Sequence, residues 1–235
     1  MTQTVLYDRK ANPDYIPRVA AVHDLCGYGK CSLGIAIPVV SAGGCDVCPV
    51  PTGLFSSHTA FPGWYMHDTT DILPDYLAAW QNIGVEIDAI YSGFLGAPEQ
   101  VDIIRSLYER YPKALRVVDP VMADHGKVYP TYTPELCAAM ADLACDADIL
   151  TPNLTEAAII LGEEWHGTDI SNDEAKRIID ALIEKGAKNV VLKGVQREGE
   201  SVIHNFAAGV DIDFFEASNE YLPYMLHGTG DLYCS

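Results

Sequence analysis

Short continuous apolar runs alternate along this chain with longer stretches in which apolar residues recur at helical spacing. The runs over residues 18–23, 46–51, 89–94, 115–121, 147–150 and 189–195 predict strands. Helical patterning falls between them at residues 31–41, despite Pro38, at about 70–82 and at about 133–144. Pro98 opens a further helix, as proline can in a first turn, with Val101, Ile104, Tyr108 and Tyr111 on one face. Another helix starts after Thr151-Pro152-Asn153 and contains Glu156. Ser171 and Glu174 read as a capping box for a stripe of Ala175, Ile178, Ile179, Leu182 and Ile183, which Gly186 stops. Residues 201–206 and 210–216 alternate like a hairpin at a sheet edge.

Strands that alternate with helices in this way predict a mainly parallel sheet covered on both faces. Ligands bind such sheets outside the carboxyl ends of the strands. The polar clusters fall there: Asp24, His58 with Thr59, Gly93 with Phe94, Asp119 with Asp124, Asn153 with Glu156, and Asp231. Residues 1–17, with Pro13 and Pro17 and mixed charge, read as a flexible N-terminal arm, and residues 18–235 as a single domain.

Composition narrows the partners. The 235 residues are 49% hydrophobic and 20% charged, ordinary for a folded domain, and the formal net charge of −18 repels polyanions. Nucleic acid is thereby excluded, and a phosphate-bearing substrate would need a divalent cation. The start lacks a secretory pattern, and no apolar run approaches the ~18 residues that span a bilayer, so the expectation is a cytoplasmic protein without a membrane partner. Seven scattered cysteines (26, 31, 45, 48, 137, 145 and 234) fit a reducing compartment. Cys45 and Cys48 form a Cys-x-x-Cys with no second pair to complete a zinc site, so both read as small core residues.

The candidate chemistry lies in two glycine loops. Residues 24–30 join the first strand to the first helix, but they carry neither the dinucleotide-binding spacing nor a Walker loop before Lys30. Gly228-Thr229-Gly230-Asp231 sets a carboxylate beside two glycines, an arrangement suited to phosphoryl transfer. Lys193 reads as a solvated strand end.

Three phrases in order carry a resemblance: Val118-Asp119-Pro120-Val121-Met122-Ala123-Asp124, then Ala147-Asp148-Ile149-Leu150-Thr151-Pro152-Asn153 with Glu156, then His227-Gly228-Thr229-Gly230-Asp231. Together they resemble the signatures of the ribokinase-like vitamin kinases. Phe55-Ser56-Ser57-His58-Thr59 and Tyr91-Ser92-Gly93-Phe94 are similar to pyridoxal kinases in particular. The resemblance implies a ribokinase-like three-layer α/β/α fold and ATP-dependent, Mg²⁺-requiring phosphorylation of the 5′-hydroxymethyl group of a B6 vitamer. It casts Asp231 as the base and Gly228, Thr229 and Gly230 as the anion hole. Asp119, Tyr129, Thr151, Asn153 and Glu156 would bind nucleotide, and Asp119, Asp124 and Glu156 would arrange the metal. Asp24, His58, Thr59 and Phe94 would hold the pyridine ring. Relatives of this kind are usually homodimers, and a monovalent cation requirement stays open.

Two departures stand out. Pyridoxal kinases commonly carry Ser-His after the first strand, where this chain has His23-Asp24, and a carboxylate there favours a cationic or hydrogen-donating ring. Only Leu232, Tyr233, Cys234 and Ser235 follow Asp231, whereas the family continues for several more elements. The expectation is a domain lacking its C-terminal elements, either incomplete or a shortened form with impaired catalysis. The rival readings are a hydroxymethylpyrimidine kinase of thiamine synthesis, a B6-vitamer-binding protein with little turnover, and a sugar kinase, which the loop from Phe55 to Thr59 disfavours.

Overall fold

The computed structural model describes residues 14–210, 212–222 and 227–235. Most of the expected arm lies outside the described residues. Of its described end, the Tyr15 hydroxyl donates to Asp88 and the Pro17 carbonyl accepts from the Asp46 amide.

The chain runs β1 (Arg18–Cys26), α1 (Leu33–Ala42), β2 (Asp46–Phe55), β3 (Met66–Asp68), α2 (Leu73–Asn82) and β4 (Ala89–Ser92). It continues with α3 (Glu99–Arg110), β5 (Leu115–Val118), β6 (Ala123–Asp124), β7 (Lys127–Val128), α4 (Pro134–Ala144) and β8 (Ile149–Leu150). Then come α5 (Leu154–Leu161), α6 (Asn172–Glu184), β9 (Asn189–Gln196), β10 (Val202–Gly209), β11 (Ile212–Glu220) and α7 (Thr229–Cys234).

Nine of these strands form one sheet in the order β11-β10-β9-β8-β5-β4-β1-β2-β3, and β6 pairs with β7 in a small ribbon. The strands from β2 to β9 in that order are parallel, and β3, β10 and β11 add antiparallel edges. The expected hairpin is β10 and β11. The period of two along each strand sends side chains to two cores. Ala20, Val22, Ile90 and Val190 meet α2 to α6 in the larger one, while Val19 and Tyr91 meet Ala36 and Val40 of α1 in the smaller one. Winding reverses at β1, which pairs with β2 on one side and β4 on the other. The ends of β1 and β4 therefore open at a topological switch point, the usual ligand crevice of such sheets.

Several boundaries differ from the sequence expectation. β1 extends to Cys26 and β2 to Phe55, through Pro49 and Pro51. Both prolines are tolerated because their missing N–H groups face the edge of β2 that has no ladder partner there. Their carbonyls instead accept from the hydroxyls of Tyr76 (2.8 Å) and Thr69 (2.6 Å). β5 stops at Val118 and β4 at Ser92, although the Gly93 amide still reaches the Val22 carbonyl. Ser171 does cap α6, but Glu174 does not complete a box, because its carboxylate is engaged by Arg177 at 3.0 and 2.8 Å. The full capping box lies at Asn153 and Glu156 instead. β3, β6 and β7 are too short to leave a period in the sequence. Cys48 packs on the larger core and Cys45 on the smaller one, and among the described residues neither joins a cluster of metal ligands.

The switch point is tightly packed. A Cβ on Gly93 would lie 2.1 Å from the imidazole of His23, whose ring is fully buried against Tyr91. Gly93→Ala should cost about 1–3 kcal/mol of stability. His23→Ala in the same chain should return part of that loss, a coupling that denaturant unfolding of both single variants and the double variant would measure.

Candidate active site

Asp231 anchors the site. It sits in the first turn of α7, buried, and its Oδ2 accepts the Ser32 amide at 2.9 Å. Ser32 adopts φ 48°, unusual for a residue with a side chain, and this strained turn aims its N–H at the carboxylate. Gly228 is also at positive φ, and a Cβ there would lie 2.6 Å from the Lys30 carbonyl, so only glycine brings the two loops this close. Burial pushes the Asp231 carboxyl up to about 6, with the Ser32 amide and Lys193 pulling it down and Asp119 and Asp24 pushing it up.

Lys193 departs from the sequence reading of a solvated strand end. Its side chain is only 12% exposed, and its ammonium lies 2.6 Å from Asp119 Oδ1, itself 1% exposed. Burial alone would push the ammonium down, but Asp119, Cys234 and Glu156 together more than offset this and keep it charged. A Cβ on Gly230 would stand 3.5 Å from the Lys193 nitrogen, which places the charge beside the glycine loop. The Cys234 thiol donates to Asp119 Oδ2 at 3.2 Å and lies 2.9 Å from the Thr151 hydroxyl. Residues of β9 and those just past the ends of β5 and β8 thus meet α7.

The other acidic residues divide. Glu156 is buried, and the capping box commits it: its Oε2 accepts the Asn153 amide at 2.8 Å, while Asn153 Oδ1 accepts the Glu156 amide at 2.9 Å. Asn153 Nδ2 also donates to the Ala123 carbonyl, which ties α5 to the β6–β7 ribbon. Burial pushes the Glu156 carboxyl up, and Lys193 opposes it. Asp124 is half-exposed on the ribbon and accepts the neighbouring His125 amide. Tyr129 is where these groups converge: burial raises its phenol, Glu156, Asp124 and Asp119 raise it further, and Lys193 opposes them.

The four residues expected at the ring are held differently. Asp24 is buried at the end of β1, beside a register shift between His23 and Leu25. His58 lies in the loop after β2, its ring 4.3 Å from that of His227, and its amide donates to the Tyr28 carbonyl. Thr59 follows it, half-buried. Phe94 belongs to the larger core, edge-on to Phe55 and Tyr132, so its ring has a packing role regardless of any ligand. His23 is buried with neither ring nitrogen hydrogen-bonded among the described residues, and burial lowers it to about 4, so it is a neutral packing group.

The family described as phosphomethylpyrimidine kinase matches residues 58–235. A Histophilus somni protein named pyridoxal kinase PdxY is 33% identical over 168 residues, 67% of this chain and 56% of its own length. The chain thus spans about half the length of the curated relatives it matches. A Bacteroides thetaiotaomicron protein, provisionally described as a phosphomethylpyrimidine kinase and crystallised with pyridoxal, superposes with a TM-score of 0.87 at 36% identity. That match covers 92% of this chain and 77% of the other. Pyridoxal kinase from Lactobacillus plantarum superposes with a TM-score of 0.83 at 30% identity, covering 94% and 78%. Among the described residues no helix is long and apolar enough to cross a membrane.

The buried ion pair sets a testable cost. Lys193→Met leaves Asp119 buried without its cation and should destabilise the fold by roughly 3–5 kcal/mol. Asp119→Asn added to it should recover much of that loss, and thermal unfolding of the three variants reads the difference.

Proposed function

This chain belongs to the phosphomethylpyrimidine kinase family, and on that footing we propose that it transfers the γ-phosphate of ATP to the 5′-hydroxymethyl group of a B6 vitamer: pyridoxal, pyridoxine or pyridoxamine. The observation that carries this reading is the Asp231 carboxyl, held by the Ser32 amide and pushed up to about 6. A base in that range is ionised at neutral pH yet takes a proton readily as the alcohol attacks. Phosphoryl transfer needs positioning and charge neutralisation more than covalent chemistry. Gly228, Thr229 and Gly230 would receive the phosphoryl oxygens, with the Lys193 ammonium beside Gly230 to meet their charge. Thr151, Asn153 and Tyr129 would line the nucleotide phosphates.

The acidic set suits Mg²⁺ in kind, since its donors are hard carboxylate oxygens. Glu156, Asp124 and Asp119 act together on Tyr129 against Lys193, an excess of negative charge that a divalent cation would offset. Asp124 and Glu156 each have one oxygen engaged, by the His125 and Asn153 amides, and would hold it, directly or through water, whereas both oxygens of Asp119 are engaged. Bound there, the ion would neutralise the phosphates. Asp24, His58, Thr59 and the backbone at Phe94 would surround the ring at the switch point, and the buried carboxylate favours a protonated or hydrogen-donating ring group. The reading includes a homodimer in the cytoplasm, carried over from the resemblance and the cysteine usage.

The description of the family itself supports a second reading, phosphorylation of hydroxymethylpyrimidine. Comparing kcat/KM for the two alcohols at saturating ATP separates them. A clear preference for the pyrimidine would replace the first reading.

Asp231→Asn tests the base. It should fold, keep the Ser32 hydrogen bond and lower kcat by roughly 10²–10⁴. Because burial raises the folded carboxyl from 3.8 to about 6, ionisation costs stability as pH rises through that window, and the cost is complete above it. The variant should therefore match or exceed the parent Tm at pH 8 and lose that advantage as pH falls towards 4. Normal turnover in the variant would remove Asp231 from the base role.

A further inference from the structure

The loop between β1 and α1 holds a second constellation, whose two cysteines phosphoryl transfer does not use. Cys26 ends β1 and Cys31 precedes Ser32, and their sulfurs lie 3.1 Å apart. The Cys26 sulfur is 3.5 Å from Asp24 Oδ2. One ligand atom from each of these three residues lies within 4.8 Å of the others, and no other group of His, Cys, Asp and Glu among the described residues is placed this way. Tetrahedral zinc, with Zn–S of about 2.3 Å and Zn–O of about 2.0–2.2 Å, sets neighbouring ligand atoms about 3.5–3.8 Å apart. The Cys26–Asp24 separation already fits, and the two sulfurs, 3.1 Å apart, need to part by about 0.7 Å.

Asp24 is buried, and its Oδ2 already faces the Cys26 sulfur, so a cation that enters between the two sulfurs meets a carboxylate oxygen in place.

We propose that Asp24, Cys26 and Cys31 form a site for a soft divalent cation of the zinc class, which ties the end of β1 to the start of α1 across the glycine loop at residues 27–30. Binding breaks two S–H bonds, forms two metal–sulfur bonds and releases two protons to solvent, with no change of oxidation state. Thiolate ligands favour zinc over magnesium, which separates this site from the carboxylate set. The ion would sit one residue from the Ser32 amide that holds Asp231, so it would fix the turn that aims this donor. Asp24 belongs to both sites, and the two cysteines belong to this one alone.

The test reads binding, not turnover, so it stands apart from the kinase reading. The whole reduced protein is titrated with Co²⁺ under a phosphine reductant without air, and thiolate-to-cobalt charge transfer is followed in the near ultraviolet. Tm is then measured with and without Zn²⁺. The parent and a Cys45→Ser/Cys48→Ser control should take up one equivalent with a thiolate band that Zn²⁺ displaces, and Zn²⁺ should raise their Tm. Cys26→Ser and Cys31→Ser should each fold to the metal-free parent's Tm and lose both the band and the Zn²⁺ shift. Absence of the band in the parent, or its persistence in both single variants, would overturn the site.

Discussion

Asp119 is a carboxylate in a nearly dry interior, and such a group costs several kcal/mol unless an opposite charge meets it. Lys193 meets it at 2.6 Å from β9, two places along the sheet from β5. The ammonium can be there only because β9 is parallel to β5 and β8, so that the strands end at the same edge and residue 193 emerges on the α1 and α7 side. The pair therefore depends on strand order, and the site depends on the pair. Lys193 also restrains the upward shifts of Glu156 and Asp231, and it lies beside Gly230.

Negative charge otherwise dominates this edge. Asp24, Asp119, Glu156 and Asp231 are all buried. In a chain of net charge −18 such a cluster is unfavourable unless protons, metal ions or donor groups compensate it. Three of them are met differently: Asp119 by an ammonium, Glu156 by the cap of α5, and Asp231 by an amide in a strained turn. Burial pushes the Asp231 carboxyl up to about 6, a range that suits a proton acceptor in catalysis.

The sheet and most helices were legible because their apolar periods are long enough to read. The short β3, β6 and β7 were not, nor was the continuation of β2 beyond Pro51 to Phe55, where β3 pairs with its end. Lys193 was misjudged because a lysine after an apolar run is usually solvated. Yet residue 193 lies within β9 level with Asn153, past the end of β8, at the edge that singles out Asp119 and Asn153. The capping box was placed at Ser171, where the motif is conspicuous, but Arg177 draws Glu174 away while Asn153 and Glu156 close a complete one. Sequence separation hid the contact from Ser32 to Asp231, 199 positions apart, as it did the pairing of Cys26 with Asp24 and Cys31 around one point.

The most direct test of the account is transfer of label from γ-³²P-ATP to pyridoxal by the whole protein with Mg²⁺, resolved by chromatography. The account predicts that label appears in pyridoxal 5′-phosphate as ADP forms in equal amount. Label that stays in ATP, or passes only to inorganic phosphate while pyridoxal is bound, would contradict it.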